Sequence, residues 1–513
     1  SGFTAERDGY TENVFLDEDT RNVDREGGRI KLLWEANEDL SVQLSAEHLE
    51  QYSDLDGGLV EYGSLNAGVT LPYPVWYGLL GFGAPPSISL GEAQQQHADT
   101  TDTIDRYIMK VDWNLPLHRL TSLTAYEDIE NFANLDSDQS TLPFVYLHIL
   151  SHSKVFTQEL QIASEHDSAL NYIAGVYYQN YQPYGVVTAD GVEGPVFFRD
   201  DELESKAVFG NFTYDFNDQL SVVVGARWTS DEKADVDLSE TFDEWSYTAK
   251  VLYQVDPDKL VYFSHDKGFK SGGINTLVPP GRNDLRIWNS EITYNYELGL
   301  KSEWFDSSLR VNTAIFYQIF EDYQATTPIR DGNEISSLIT NAAEVISQGL
   351  EVEFTAIVTN NFSVNGSAAW IKAEYEDYDQ APCSTSDYPG CTDGIQNLTG
   401  AQLDNAPEIA FNLGAEYRSG FDDTNAEWFA RVDASYKDDV HLDGFLSDEA
   451  VQEAYTLYSA RIGLESAGEW KLTLWGENLT DEEYAVAGDF QLQGLSLHQG
   501  LVRTYGVTVD WFF

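Results

Sequence analysis

Basic residues and cysteine are scarce in this 513-residue chain. Only 29 Lys and Arg stand against 86 Asp and Glu, a net charge of −57 with a pI near 4.1. A phosphate backbone requires a basic surface, so nucleic-acid binding is excluded. No apolar run reaches 18 residues, which excludes a membrane-spanning helix. No signal peptide precedes Ser1, so the chain reads as mature, truncated or both. Catalytic patterns are missing as well. His148 and His152 fall four apart without the glutamate of a zinc-protease helix. No Gly-x-Ser-x-Gly elbow or phosphate-cradling glycine loop occurs. No enzyme, cofactor or metal site is therefore expected. The two cysteines, Cys383 and Cys391, lie in a Pro/Gly/Ser-rich stretch without histidines at metal spacing. They read as one disulfide closing a small loop in an oxidising compartment.

Aromatic residues, by contrast, are plentiful. They make up 13% of the chain, with 30 Tyr, 26 Phe and 12 Trp, and Tyr and Trp favour membrane interfaces. Alternation is clean. Leu309, Val311, Thr313, Ile315, Tyr317 and Ile319 fall on one face of a strand, with Arg310, Asn312, Ala314, Phe316 and Gln318 on the other. Many such segments run about 11 to 14 residues, longer than ordinary strands and long enough to cross hydrocarbon at a tilt. Tight connections such as Asn37-Glu38-Asp39, His166-Asp167-Ser168, Asn217-Asp218, Asp256-Pro257-Asp258 and Thr359-Asn360-Asn361 mark one end. Long loops at 51–102, 182–202, 270–291, 321–344 and 376–405 mark the other. That asymmetry predicts an all-β, transmembrane antiparallel β-barrel with short periplasmic turns and long outer loops. An opening strand near 3–15, nine hairpins and a closing strand at 500–513 give 20 strands. The closing strand puts Tyr505, Val507, Val509, Trp511 and Phe513 on one face. An unpaired edge of that kind is an aggregation hazard in water. A passive pore or an adhesion scaffold would fit this much equally well. The acidity reads as a solvated surface suited to salty water; the alternative is acidic loops that bind divalent cations and bridge lipopolysaccharide.

Several phrases resemble the barrels of TonB-dependent outer-membrane receptors. TQELQIASEHDSALNYIAGVYY (157–178), FSHDKGFKSGGIN (263–275), YELGLKSEWFDSSLRVNTAIFY (296–317), ISQGLEVEF (346–354), LDNAPEIAFNLGAEY (403–417) and WGENLTDEEY (475–484) follow one another in the family's order. The closing strand is similar to the one by which such barrels are recognised for assembly. The resemblance covers about residue 3 to Phe513, the whole of 1–513, and implies a 22-stranded barrel around a globular plug. The plug, the TonB box and the first hairpin are absent from this chain on that reading, so 20 strands are read of 22. It further implies import of a scarce nutrient across the outer membrane, a ferric siderophore first and saccharides, vitamins or aromatic breakdown products as alternatives. The implied partners are the inner-membrane TonB complex, acting through the plug, outer-membrane lipid and lipopolysaccharide, and a small nutrient ligand.

Ligand contacts are expected on the long loops and at the mouth. Trp76 and Tyr77 lie in an apolar Pro/Gly-rich loop, and Tyr184, Phe197 and Phe198 are further aromatic candidates. Lys267, Lys270, Arg282 and Arg286 form a local basic cluster that suits an anionic ligand. The bland alternative is that the aromatics pack loops together and the bases neutralise nearby acids. Gly268, Gly272 and Gly273 are expected to permit a strand-end bend.

Overall fold

The computed structural model describes all residues except 56–58, 61, 66–68, 73–91, 94–96, 137–145, 167, 277, 280, 332–333, 384–389, 393, 422–424, 467, 492–493 and 513. One antiparallel sheet contains twenty strands in chain order. These are β1 (Gly2–Arg7), β2 (Val23–Glu35), β3 (Leu40–Asp54), β4 (Asp99–Asn114), β5 (His118–Asp136), β6 (Tyr146–Ser164) and β7 (Leu170–Ala189). β8 is broken at Asp201 into Pro195–Asp200 and Glu202–Asp215, both paired with β7. Then come β9 (Leu220–Ala234), β10 (Ser239–Asp256), β11 (Lys259–Lys270), β12 (Glu291–Trp304), β13 (Leu309–Asp331) and β14 (Glu334–Thr359). The last six are β15 (Phe362–Asp377), β16 (Ile409–Gly420), β17 (Ala426–Lys437), β18 (Tyr455–Ser466), β19 (Trp470–Glu477) and β20 (Thr504–Trp511).

β17 shows why these segments are strands. Trp428, Ala430, Val432, Ala434 and Tyr436 alternate with Glu427, Phe429, Arg431, Asp433 and Ser435. Register keeps like with like: Val432 faces Ala415 and Ala460, while Arg431 faces Glu416 and Arg461. Continued around the sheet, the first set forms an apolar outward face. Trp34, Trp113, Trp304 and Trp428 lie near the tight-turn end, and Tyr107, Tyr126, Trp370 and Tyr436 lie higher, Tyr107 six residues from Trp113 and Tyr436 eight from Trp428. That spacing fits within the about nine to eleven tilted residues of a crossing strand, and aromatic rows of this kind line the two membrane interfaces. Among the described residues no helix is long and apolar enough to cross.

The tight turns carry their own hydrogen bonds. Asn37 Oδ1 accepts from the backbone N–H groups of Asp39 (2.8 Å) and Leu40 (2.9 Å). Asn217 does the same for Gln219 and Leu220, and Thr359 Oγ1 for Asn361 and Phe362. The short polar side chain imitates a backbone turn.

Three boundaries differ from the sequence reading. The opening strand is Gly2–Arg7, not 3–15. The expected long loops at 182–202 and 321–344 are mostly strand, since β7 and β8 pair out to Ala189 and Pro195, and β13 and β14 out to Asp331 and Glu334. Beyond the membrane a ladder needs no alternation of apolar and polar faces: Val186 and Val187 are adjacent apolar residues and still pair with Phe198 and Phe197.

Ladders join every consecutive pair from β1 to β20. Among the described residues none joins β20 to β1, and β1 covers only Val23–Gly28 of β2. On the outer side the ends of the sheet nevertheless meet: Val60 pairs with Ser496, and Arg21 donates to the Gln499 carbonyl at 2.7 Å.

Candidate functional site

The outer loops from the β9–β10 turn round to β1–β2 are tied each to the next. Arg286, in the loop after β11, pairs with Asp235 (2.7 Å) and Asp237 (2.8 Å) of the β9–β10 turn. The guanidinium of Arg286 holds the Asp237 carboxyl below its ordinary range. Asn275 of the same loop grips β14 like a strand: its Nδ2 donates to the Ile339 carbonyl and its Oδ1 accepts from the Ile339 N–H. Ala325, Ala343, Tyr375, Tyr378, Leu398 and Leu446 then form a buried cluster shared by β13, β14, β15 and the two loops that follow. Asn405 N–H donates to the His441 carbonyl, and Gly488 N–H to that of Leu442. The Arg21–Gln499 contact completes the run. Within this canopy Cys383 and Cys391 form the expected disulfide, with Cα atoms 6.0 Å apart.

The sequence-chosen ligand residues scatter. Trp76 and Tyr77 lie outside the described residues. Tyr184 and Phe198 meet edge to face at 5.6 Å on the outward side of the strand extension, and Phe197 falls on the opposite side. Lys267 pairs with Glu244 (3.3 Å), Arg282 with Asp284 (3.0 Å) and Arg286 with the two aspartates above. Lys270 alternates with Lys267 and takes the inward side. The four cations therefore do not converge on one spot. Gly272 and Gly273 are glycines because rings pack onto them: an added Cβ would lie 2.3 Å from Phe242 and 2.2 Å from Trp288, while at Gly268 it would meet nothing. Close approach is thus a reason for glycine at 272 and 273, where the strand has ended at Lys270. His148 contacts Asn134 and Asp190, and His152 contacts Asp128, so the two histidines share no site. Among the described residues no cluster of metal-ligating side chains occurs.

What the sequence reading missed lies on the inner wall. Phe3 on Gly27, Phe209 on Gly175, Tyr262 on Gly299, Phe316 on Gly349, Phe429 on Gly463 and Trp475 on Gly506 are six cross-strand pairs in which an inward ring packs over a glycine. A Cβ at Gly463 would sit 2.5 Å from the Phe429 ring, and one at Gly299 2.2 Å from Tyr262. All six join strands connected through an outer loop, none through a tight turn. The signal was present in the sequence, but only the register says which glycine faces which ring. Between these joints run charged ladders. Arg418 reaches Glu416 (2.7 Å), Glu427 and Glu465 (3.2 Å), and Arg106 reaches Glu127 and Glu47. A niche of about 400 Å³ opens inward between Asn365, Asn412, Arg431, Asp433, Tyr484 and Leu501. The wall thus offers paired charges and aromatic rings to whatever fills or crosses the lumen.

Residues 5–479 match the model of the family described as TonB dependent receptor-like, beta-barrel. The pesticin receptor of Yersinia pestis is 21% identical over 378 residues, covering 69% of this chain and 51% of that protein. This chain spans about half the length of the curated relatives it matches. Among solved structures, the ferric yersiniabactin uptake receptor FyuA of Yersinia pestis superposes with a TM-score of 0.78 at 16% identity, over 100% of this chain and 74% of that one. The siderophore receptor PiuA of Acinetobacter baumannii gives 0.76 at 15% identity, over 100% of this chain and 76% of that one.

Proposed function

This chain belongs to the TonB-dependent receptor β-barrel family of the Gram-negative outer membrane, transport receptors and not enzymes, and from that premise we propose that it serves import of a ferric siderophore. The observation that carries this reading is the family match across nearly the whole chain. Two of the similar structures are a ferric yersiniabactin uptake receptor and a siderophore receptor, which supports an iron chelate as cargo. The canopy and the inner wall are the surfaces that meet the ligand on this reading, with Lys270 and Phe197 the sequence-chosen residues best turned toward it.

An unpaired strand edge facing lipid leaves N–H and C=O groups without partners, at several kcal/mol each. Among the described residues such an edge runs along β20 and the lower part of β2, and a further hairpin seated there, with a plug inside the barrel and the inner-membrane TonB complex as its energy source, forms part of the proposal. Lipopolysaccharide is the proposed neighbour of the outward face above the upper aromatic row.

The deciding experiment deletes the coding sequence and measures uptake of iron-55 chelates with and without a protonophore. Energy-dependent uptake lost on deletion is expected. Uptake unchanged by deletion overturns the cargo, and uptake indifferent to the protonophore replaces the receptor with a passive pore. Intact mass of the protein from outer membrane, set against 57.6 kDa, tests the added hairpin and plug.

A further inference from the structure

Three of the inward joints carry a cation on the free face of the ring. Arg418 (4.9 Å) and Lys471 (5.1 Å) lie over Phe429, Lys301 (5.9 Å) over Tyr262, and Arg227 (5.7 Å) over Phe209. Their electrostatic surroundings differ. Arg418 is held by three carboxylates. Arg227 is held by two rings, Phe209 and Tyr177 (5.2 Å), and by one hydrogen bond from its Nε to Thr229 Oγ1 at 3.0 Å. Among the described residues no carboxylate lies within ion-pair distance of it. Arg7, Arg25 and Arg29 also lack an ion pair among the described residues, but they lie on β1 and β2; Arg227 is the one of these seated on an inward ring joint.

The site is built from below. Gly175 lets the Phe209 ring pack over the neighbouring backbone, since a Cβ there would come within 2.6 Å of it. Arg227 stands opposite Phe209 on the next strand and between Ala226 and Trp228, which face outward. It therefore points into the lumen at membrane depth. Guanidinium stays protonated at any working pH and has five N–H donors, of which one is used. Cation–π contact orients it without neutralising it. The low dielectric behind the wall strengthens its attraction for a negative partner.

We propose that Arg227, seated on Phe209 and Tyr177, is a lumen-facing carboxylate-binding residue, taking a carboxylate through its two terminal nitrogens. That carboxylate comes either from another segment of the same protein inside the lumen or from a solute passing through; only the second source rests on the transport reading.

The test uses the full-length protein purified from outer membrane. Phenylglyoxal modification of each arginine is followed by peptide mass spectrometry with and without benzoate, and Arg227→Lys is treated with carbodiimide in parallel. Benzoate slowing the modification of Arg227 about tenfold, with Arg418 unaffected, assigns the site to a solute carboxylate. A zero-length cross-link from position 227 in the variant to a carboxylate outside the wall strands assigns it to an internal segment. The absence of both effects overturns the proposal, as does a cross-link to a carboxylate of the wall itself, such as Glu159. Loss of the iron-uptake reading with Arg227 still protected by benzoate would sink the cargo and leave this site standing.

Discussion

Along β17 the outward residues Trp428, Ala430, Val432, Ala434 and Tyr436 need only be apolar and at the right depth, whereas the inward ones each answer to a particular partner. Phe429 answers to Gly463, Arg418 and Lys471, and Arg431 to Asp433 and Asn365. Lipid is a uniform solvent, so the outward face is selected by composition alone. The lumen side is a packed and charged surface, selected by pairwise fit. One strand thus carries a permissive code and a specific one on alternate residues, and substitutions on the two should fail for different reasons.

The largest expected effect tests the permissive face. Val432 lies midway between the aromatic rows marked by Trp428 and Tyr436. Val432→Arg should cost about 2 to 4 kcal/mol, the penalty for a cation at the bilayer midplane. Ser435→Arg, on the inward face of the same strand, should cost far less. Urea titration of the barrel in lipid vesicles, read by heat-modifiable gel migration, measures both. Equal losses would break the distinction between the faces.

Next comes the specific face. Gly463→Ala forces a Cβ into the Phe429 ring and should destabilise by about 1 to 3 kcal/mol, as overpacking does. Gly268→Ala, where the added methyl meets nothing, should stay within about 0.5 kcal/mol. Adding Phe429→Ala to Gly463→Ala should recover part of the loss, a coupling that a double-mutant cycle reads directly. Additive losses would mean that ring and glycine do not form a joint.

This contrast also explains what the sequence made legible. Outward alternation is a one-residue property, so Leu309 to Ile319 and the aromatic C-terminal strand announced the strands and their lipid side. Turn positions followed from Asn37, Asn217 and Thr359, whose side chains act locally. The inner wall is a property of pairs on different strands. Nothing in the sequence says that Phe209 meets Gly175, 34 positions earlier in the chain, and Arg227 attracted no notice among alternating residues. The basic cluster Lys267, Lys270, Arg282 and Arg286 was visible for the opposite reason: its members are neighbours in sequence, but each turns to its own acid or face. Strand ends at Ala189 and Asp331 were hidden because pairing above the membrane does not require the alternation of apolar and polar residues that marks a crossing strand.

The canopy supplies a control, because it follows the burial rules of aqueous proteins. Asp443 is buried and accepts from Ser447 N–H (3.0 Å) and Ser447 Oγ (2.7 Å). Burial pushes its carboxyl above the usual range. The folded loop then binds a proton that the unfolded chain does not, so stability rises as pH falls through that raised value and levels off below the ordinary carboxylate pKa. Hydrogen-exchange protection at Ser447 and Ala450, corrected for intrinsic rates, should grow on acidification from pH 7, and Asp443→Asn should flatten the dependence. Protection that falls on acidification would mean that the hydrogen bonds outweigh burial.

The smallest effect is expected where neither face is involved. Between β12 and β13 the chain turns through Phe305, Asp306 and Ser307 with φ of 56°, 55° and 63°, three successive left-handed residues without a glycine. Each such residue costs about 1 to 2 kcal/mol relative to right-handed backbone, a strain that Asp306→Gly relieves. Glycine also loosens the unfolded chain by about 0.4 to 1 kcal/mol, so the two terms largely cancel and a net gain of about 0.5 kcal/mol is expected in the same urea titration. A shift as large as that of Gly463→Ala would place the turns, and not the inward joints, in control of strand register. The permissive and specific faces would then both be passengers on the hairpin ends.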